Sequence, residues 1–196
     1  VPHLNGETYS HKPPLLFWLM QLSWWMFGDN DWSLRLISPA FALACLFMTA
    51  KIARVLWRDD RETALLSPFV LLSSILWTVF STLTMFDIML TFFALLGVYG
   101  VLQLSRDSCR LRHAGLLALA IGGGVLTKGP VILLHVLPLA LLAPWWLQRG
   151  ARVFSWQRWY GLVIGGVVGG ALIALAWAVP AGMAGGEAYR HAIFLG

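Results

Sequence analysis

Apolar residues in this chain come in long runs, and the polar residues between them gather in short basic knots. A bilayer core takes about 20 mostly apolar residues per helix. By that measure residues 33–56, 63–81 and 88–104 each predict a membrane span. Residues 114–127 and 130–147 predict two further spans, separated by a break at "TKGP". Residues 159–180 predict a last span, rich in glycine, whose small side chains permit close helix contact. Asp31 is the expected cap of the first span and Pro39 its expected bend.

One apolar run is too short to cross. Residues 13–27 read "PPLLFWLMQLSWWMF". Two prolines suit a first helical turn, where amide hydrogens lack partners in any case. Trp18, Trp24 and Trp25 are of the type favoured at the membrane–water boundary, and Gly28 stops the run. The pattern predicts a helix lying in the interface, with a short buried helix as the alternative. The whole is an all-α, polytopic membrane helix bundle with this interfacial helix at its N-terminal end, on the outer face.

The charges sharpen this picture. Ten of the 14 Lys and Arg fall on one side if the spans alternate: Lys51, Arg54, Arg58 and Arg61, then Arg106, Arg110 and Arg112, then Arg149, Arg152 and Arg158. The positive-inside rule makes that side cytoplasmic. Merging 114–127 with 130–147 into a single span would put flanking clusters on opposite sides. Composition agrees: 59% of residues are hydrophobic and only 12% charged, against about a quarter charged in soluble domains. The net charge of +5 therefore reads as membrane orientation and not as nucleic-acid binding. The sequence holds no glycine-rich phosphate loop, zinc-type spacing or RNA-binding signature. Cys45 and Cys109 carry no assigned role. With Val1 at the start and Gly196 at the end, the expectation is an excerpt of a longer membrane protein.

Four basic residues fall on the opposite, outer side: Lys12, Arg35, Lys128 and Arg190. Their polar neighbours there are Glu7, Tyr9, His11, Asp87, Glu187 and His191. Asp87 stands in "STLTMFDIMLTFF", where a carboxylate is costly unless paired or solvated, and such residues are usually functional. It also suits the N-cap of the third span. Lys128, at the "KGP" break, is placed to hold a phosphate as a point charge, or to snorkel from a helix end. Lys12 has the same two readings, with Tyr9 and His11 beside it. His11 and His191 could share a divalent metal ion with a carboxylate such as Glu187, though the spacing is no metal motif. His135, within an apolar span, reads as a packed polar residue.

"LNGETYSHKPPLLFWL", "FGDNDWSLRL", "TMFD" and "LTKGP", in this order, resemble bacterial lipid-linked glycosyltransferases of the GT-C fold. The pattern is most similar to aminoarabinose transferases that modify lipid A, within the wider protein O-mannosyltransferase-like superfamily. That resemblance implies a single transmembrane glycosyltransferase domain over residues 1–196, beginning with an outer loop at 1–30 and ending with an outer segment at 181–196. It implies transfer of a sugar from a polyprenyl (undecaprenyl) phosphate carrier to lipid A, another glycan or a protein, at the periplasmic face of the bacterial inner membrane. It further implies that Lys12, Lys128, Tyr9, His11 and Arg35 face the donor phosphate or substrate, and that Asp87 is catalytic. Many relatives carry Glu where this chain has His11. In the family a further acid follows a first transmembrane helix, in a region that would precede Val1. The lysines would stabilise the departing phosphate and a carboxylate would deprotonate or orient the acceptor. The rival reading is a transporter or flippase of lipid-linked sugars, in which broken helices and charges also occur.

Overall fold

The structure is a computed structural model. It describes residues 3–4, 7–9, 11–106, 111–147 and 155–195. Cys109, Arg110, Arg149 and Arg152 lie outside the described residues. Almost everything else is helical, apart from a two-residue antiparallel pairing of β1 (His3–Leu4) with β2 (Glu7–Thr8). By length and composition alone, four helical runs among the described residues could cross a membrane: Asp31–Leu56, Phe86–Arg106, Leu111–Leu141 and Trp156–Ala184, the third of which folds back on itself after Lys128.

The short apolar run at residues 13–27 forms α1 (Leu15–Phe27), with Pro14 at its N-cap and Trp18 N donating to the Pro14 carbonyl. Leu16 is buried while Trp24, Trp25, Met26 and Phe27 stand exposed. Gly28 ends the helix at a φ of 80°, a left-handed value natural to glycine. Asn30 then ties two helices together. Its amide donates to the Phe27 and Gly28 carbonyls, and its Oδ1 accepts from Ser33 N at the start of α2 (Asp31–Arg35). The cap is therefore Asn30 and not Asp31. In "GDND" each side chain can cap, and the chain reversal at Gly28 decides which one reaches the amide.

The run Asp31–Leu56 is interrupted at Leu36, three residues before Pro39, where α2 gives way to α3 (Ile37–Leu56). A proline ring clashes with the carbonyl four residues earlier, which here belongs to Arg35, the last residue of α2. The second expected span is likewise divided, into α4 (Arg61–Leu72) and α5 (Ile75–Thr82), bent by 68°. Ser73 Oγ donates to the Val70 carbonyl and Thr78 Oγ1 to the Leu72 carbonyl. Hydroxyls thus take up carbonyls that the interrupted ladder leaves over, the condition for a break at membrane depth.

The packed centre is made by α6 (Phe86–Arg106), α7 (Leu111–Lys128) and α10 (Trp156–Ala184). Helices α6 and α7 run antiparallel: Gly100 lies by Leu117, Gly123 by Phe93 and Lys128 by Asp87. Helices α7 and α10 run parallel, with Gly166 on Leu117 and Gly170 on Ile121. A methyl group on Gly170 would come within 2.6 Å of Ile121 Cγ2. The glycine-rich span therefore packs as its composition predicts.

At "TKGP" the chain turns back. Lys128 ends α7, Gly129 takes a φ of 77°, and a single 3₁₀ turn leads to α8 (Ile132–Leu141). Ile132 packs on Gly124 and Val136 on Gly97 in the middle of α6, contacts that a straight continuation of α7 could not make. The last four carbonyls of α8 are all accounted for, as a low-dielectric setting requires. Leu142 N bonds to Pro138 O, Trp146 Nε1 to Leu139 O, Trp159 Nε1 to Ala140 O and the Tyr160 hydroxyl to Leu141 O. Trp146 belongs to α9 (Ala143–Trp146). Trp159 opens α10, so α8 has returned to the end from which α7 began. "TKGP" is a turn between two antiparallel segments. Lys51, Arg54 and Arg58 gather at that same end, where Arg106 lies near enough to Arg58 to feel its charge. After α10, Gly185 and Gly186 lead into α11 (Gly186–Leu195), with Tyr189 buried against Gly185.

Candidate functional site

At the opposite end from the basic knots, four elements bring polar groups together. Asp87 sits in the first turn of α6. The loop before it is pinned to α3, because Met85 N donates to the fully buried Ser38 Oγ. Lys128 ends α7, and its Nζ donates to Asp87 Oδ1 at 2.6 Å. The two side chains are 35% and 48% exposed. An ion pair so accessible contributes about 0–1 kcal/mol to stability, so holding the fold together does not explain it. What it does is fix a lysine at the rim of the bundle. Asp87 meets both sequence readings in part: it lies in the first turn, though its carboxylate is engaged by Lys128.

Lys12 arrives from the segment before α1. Its Nζ lies 5.9 Å from the centre of the Phe86 ring, within reach of a cation–π attraction. Phe86 is also in edge contact with Phe17, Phe17 with Tyr9, and Tyr9 with His11. An aromatic chain thus connects the approach to α1 with the start of α6.

Both lysines line one cavity of about 450 Å³, a size within the usual range for small-molecule sites. His11, Gly129, Pro130, Trp177 and Ile193 complete much of its wall. A second crevice of about 590 Å³ shares Trp177 with it and is otherwise lined by Trp18, Leu126, Ile173 and the Ala176–Ala184 end of α10. A chamber that carries His11, Lys12 and Lys128 in a mostly apolar wall therefore stands next to one without an ionisable residue. The first can hold an anion between two ammonium groups, and the second can hold a hydrocarbon chain.

The sequence-derived candidates divide at this point. Lys12, Lys128, His11 and Asp87 come together at the cavity, and Tyr9 touches His11 from beside it. Arg35 is exposed at the end of α2 and does not line the cavity. His191 is exposed on α11, whose cavity-lining residues are its neighbours Ala192 and Ile193. Among the described residues no group of three His, Cys, Asp or Glu is placed to hold a metal. The pairing of His11 with His191 thus gains no third ligand among the described residues. His135 is exposed and not packed; its Nδ1 meets the Val131 carbonyl one turn earlier, within its own segment. Sequence reasoning missed Phe86 and Trp177. Both are aromatics in apolar runs, and only the position of Phe86 directly before Asp87 marked it.

The family model described as "Dolichyl-phosphate-mannose-protein mannosyltransferase" matches residues 2–184. The chain belongs to this family. Among curated relatives, an "Undecaprenyl phosphate-alpha-4-amino-4-deoxy-L-arabinose arabinosyl transferase" of Pectobacterium carotovorum subsp. carotovorum (strain PC1) is 33% identical over 150 residues, covering 72% of this chain and 26% of that protein. A relative of the same name from Enterobacter sp. (strain 638) is 30% identical over 185 residues, covering 91% of this chain and 32% of that protein. The chain thus spans about a third or less of the curated relatives it matches. Its fold is that of ArnT from Cupriavidus metallidurans in the apo state, with a TM-score of 0.77 over 98% of this chain and 35% of that one, at 22% identity. This family member is a multi-pass membrane protein with a GT-C type helix bundle.

Proposed function

We propose that this chain forms the donor-phosphate side of a glycosyltransferase that takes a sugar from a polyprenyl phosphate carrier. The observation that carries the reading is the convergence of Lys12 and Lys128 on one cavity that adjoins an apolar crevice. The carrier's phosphate fits between the ammonium groups, and its tail fits along Trp18, Leu126 and Ile173. Curated relatives bearing the name of an undecaprenyl-phosphate-dependent transferase support it.

In the proposed reaction the bond from the anomeric carbon to the phosphate oxygen breaks as the acceptor oxygen attacks from the opposite face, inverting the centre. Negative charge grows on the departing phosphate. Lys12 and Lys128 stabilise it, at about 10²- to 10³-fold in rate for a well-placed donor. Asp87 serves this step by holding Lys128. His11 adds a third hydrogen-bonding group to the cavity wall. The acceptor hydroxyl gives its proton to a carboxylate, the role that the family resemblance gives to Asp87 together with a further acid outside residues 1–196. The acceptor is a lipid such as lipid A, another glycan or a protein.

The basic knots at the other end support, by the positive-inside rule, a cavity that faces the periplasmic side of the inner membrane. Mass spectrometry of envelope lipids and glycans, with and without the full-length gene, tests the proposal. A sugar-sized mass lost from one envelope component on deletion is the expected result. The same loss with a lipid-linked sugar accumulating on the cytoplasmic side would favour a flippase instead, and an unchanged envelope would contradict both readings.

A further inference from the structure

We infer that Phe86 is a positioning residue for Lys12, so that the dipeptide Phe86–Asp87 sets both lysines of the cavity from one helix turn. Adjacent residues on a helix point about 100° apart. A single turn at the start of α6 can therefore serve two partners that approach from different sides. Asp87 takes Lys128 through its carboxylate at 2.6 Å, and Phe86 takes Lys12 through its ring face at 5.9 Å.

The two grips differ in chemistry for a physical reason. Lys128 stands on the packed α6–α7 pair and is held by an ionic hydrogen bond. Lys12 comes from the segment before the interfacial helix, where no carboxylate occurs within three residues of it in sequence. Asp87 already takes part of the Lys128 charge, and a second carboxylate on Lys12 would leave neither ammonium free for an incoming phosphate. A ring attracts the cation without neutralising it, and Lys12 keeps its full charge for an anion. Phe17 also packs on the Phe86 ring in edge contact, at 6.1 Å between centroids. Phe86 thus acts on the ligand only through Lys12.

The anion in this inference is the donor phosphate of the proposed function, and the test keeps the two ideas apart. Full-length protein is prepared as wild type, Phe86→Leu, Phe86→Trp, Lys12→Met and the Phe86→Leu/Lys12→Met double variant. One arm measures the rate at which an amine-reactive ester acylates Lys12, read by peptide mass spectrometry. It needs no phosphate ligand. Loss of the ring should speed this acylation severalfold in Phe86→Leu, and Phe86→Trp should stay as slow as wild type. The second arm measures the affinity for geranyl phosphate. Phe86→Leu should weaken binding about 3- to 30-fold, the range of a cation–π contact, and should cost nothing further once Lys12 is Met.

Equal acylation of Lys12 in all ring variants would overturn the inference. So would a Phe86→Leu penalty of the same size in the Lys12→Met background, which would make Phe86 a packing partner of Phe17. Slow acylation that depends on the ring, together with no geranyl phosphate binding by wild type, would uphold the positioning role and sink the donor assignment alone.

Discussion

The bundle formed by α6, α7 and α10 and the bent arm formed by α4 and α5 are both apolar helices of one chain, yet they are built in opposite ways. Half of the Phe86–Arg106 span is buried, and glycines bring its partners to within methyl distance. In the arm, Ala64 is the one buried residue of α4, and α5 buries none. Ile75, Leu76 and Val79 are all more than half exposed. Apolar character alone therefore does not separate core from periphery in a membrane protein. Small residues at the contact do, since without a hydrophobic drive between helices it is close packing that holds them. The site follows the same division: Asp87 and Lys128 stand at the rim of the packed bundle, on α6 and α7.

This contrast can be broken or sharpened by substitution in the full-length protein. The largest effect is expected at the rim. Lys128→Met should lower transfer about 10²- to 10³-fold while leaving the melting temperature nearly unchanged, measured by turnover and by thermal unfolding in detergent. Asp87→Asn should lower transfer less, about 10- to 100-fold, because an amide still accepts from Lys128 but no longer carries charge; the same two measurements apply. Next comes the core. A methyl at Gly123 would lie 2.1 Å from Phe93 Cε1, and Gly123→Ala should cost about 1–3 kcal/mol of stability, read by denaturation. The smallest effect belongs to the arm. Val79→Ala on α5 should change stability by less than about 0.5 kcal/mol and leave transfer unchanged. Equal costs at Gly123 and Val79 would erase the distinction between bundle and arm.

Much of this was legible in the sequence, and the exceptions have physical causes. The glycine spacing of residues 159–180 announced close packing, and "TKGP" announced a turn, because Gly and Pro act locally on the backbone. The break at Ser73–Ser74 was hidden. Hydrophobicity runs unchanged through both halves of 63–81, and only hydroxyl bonds made in the folded chain reveal the bend. Asp31 and Asn30 are equally able caps on paper. The Asp87–Lys128 pair joins residues 41 apart in sequence, so each could be flagged as unusual but their partnership could not be read. Phe86 carried no polar signal at all, since its part in the site depends on what lies over its ring.

The central claim is that Lys12 and Lys128 grip one phosphate in one cavity. Equilibrium binding of farnesyl phosphate and of farnesol to the full-length protein in lipid nanodiscs tests it most directly, with wild type, each Lys→Met variant and the double variant. The account predicts that the phosphate binds well above the alcohol and that each single variant loses about tenfold or more. It also predicts that the two losses fail to add in the double variant, because the two ammonium groups couple through the one phosphate they hold. Farnesol binding as tightly as its phosphate, or both single variants binding like wild type, would contradict it.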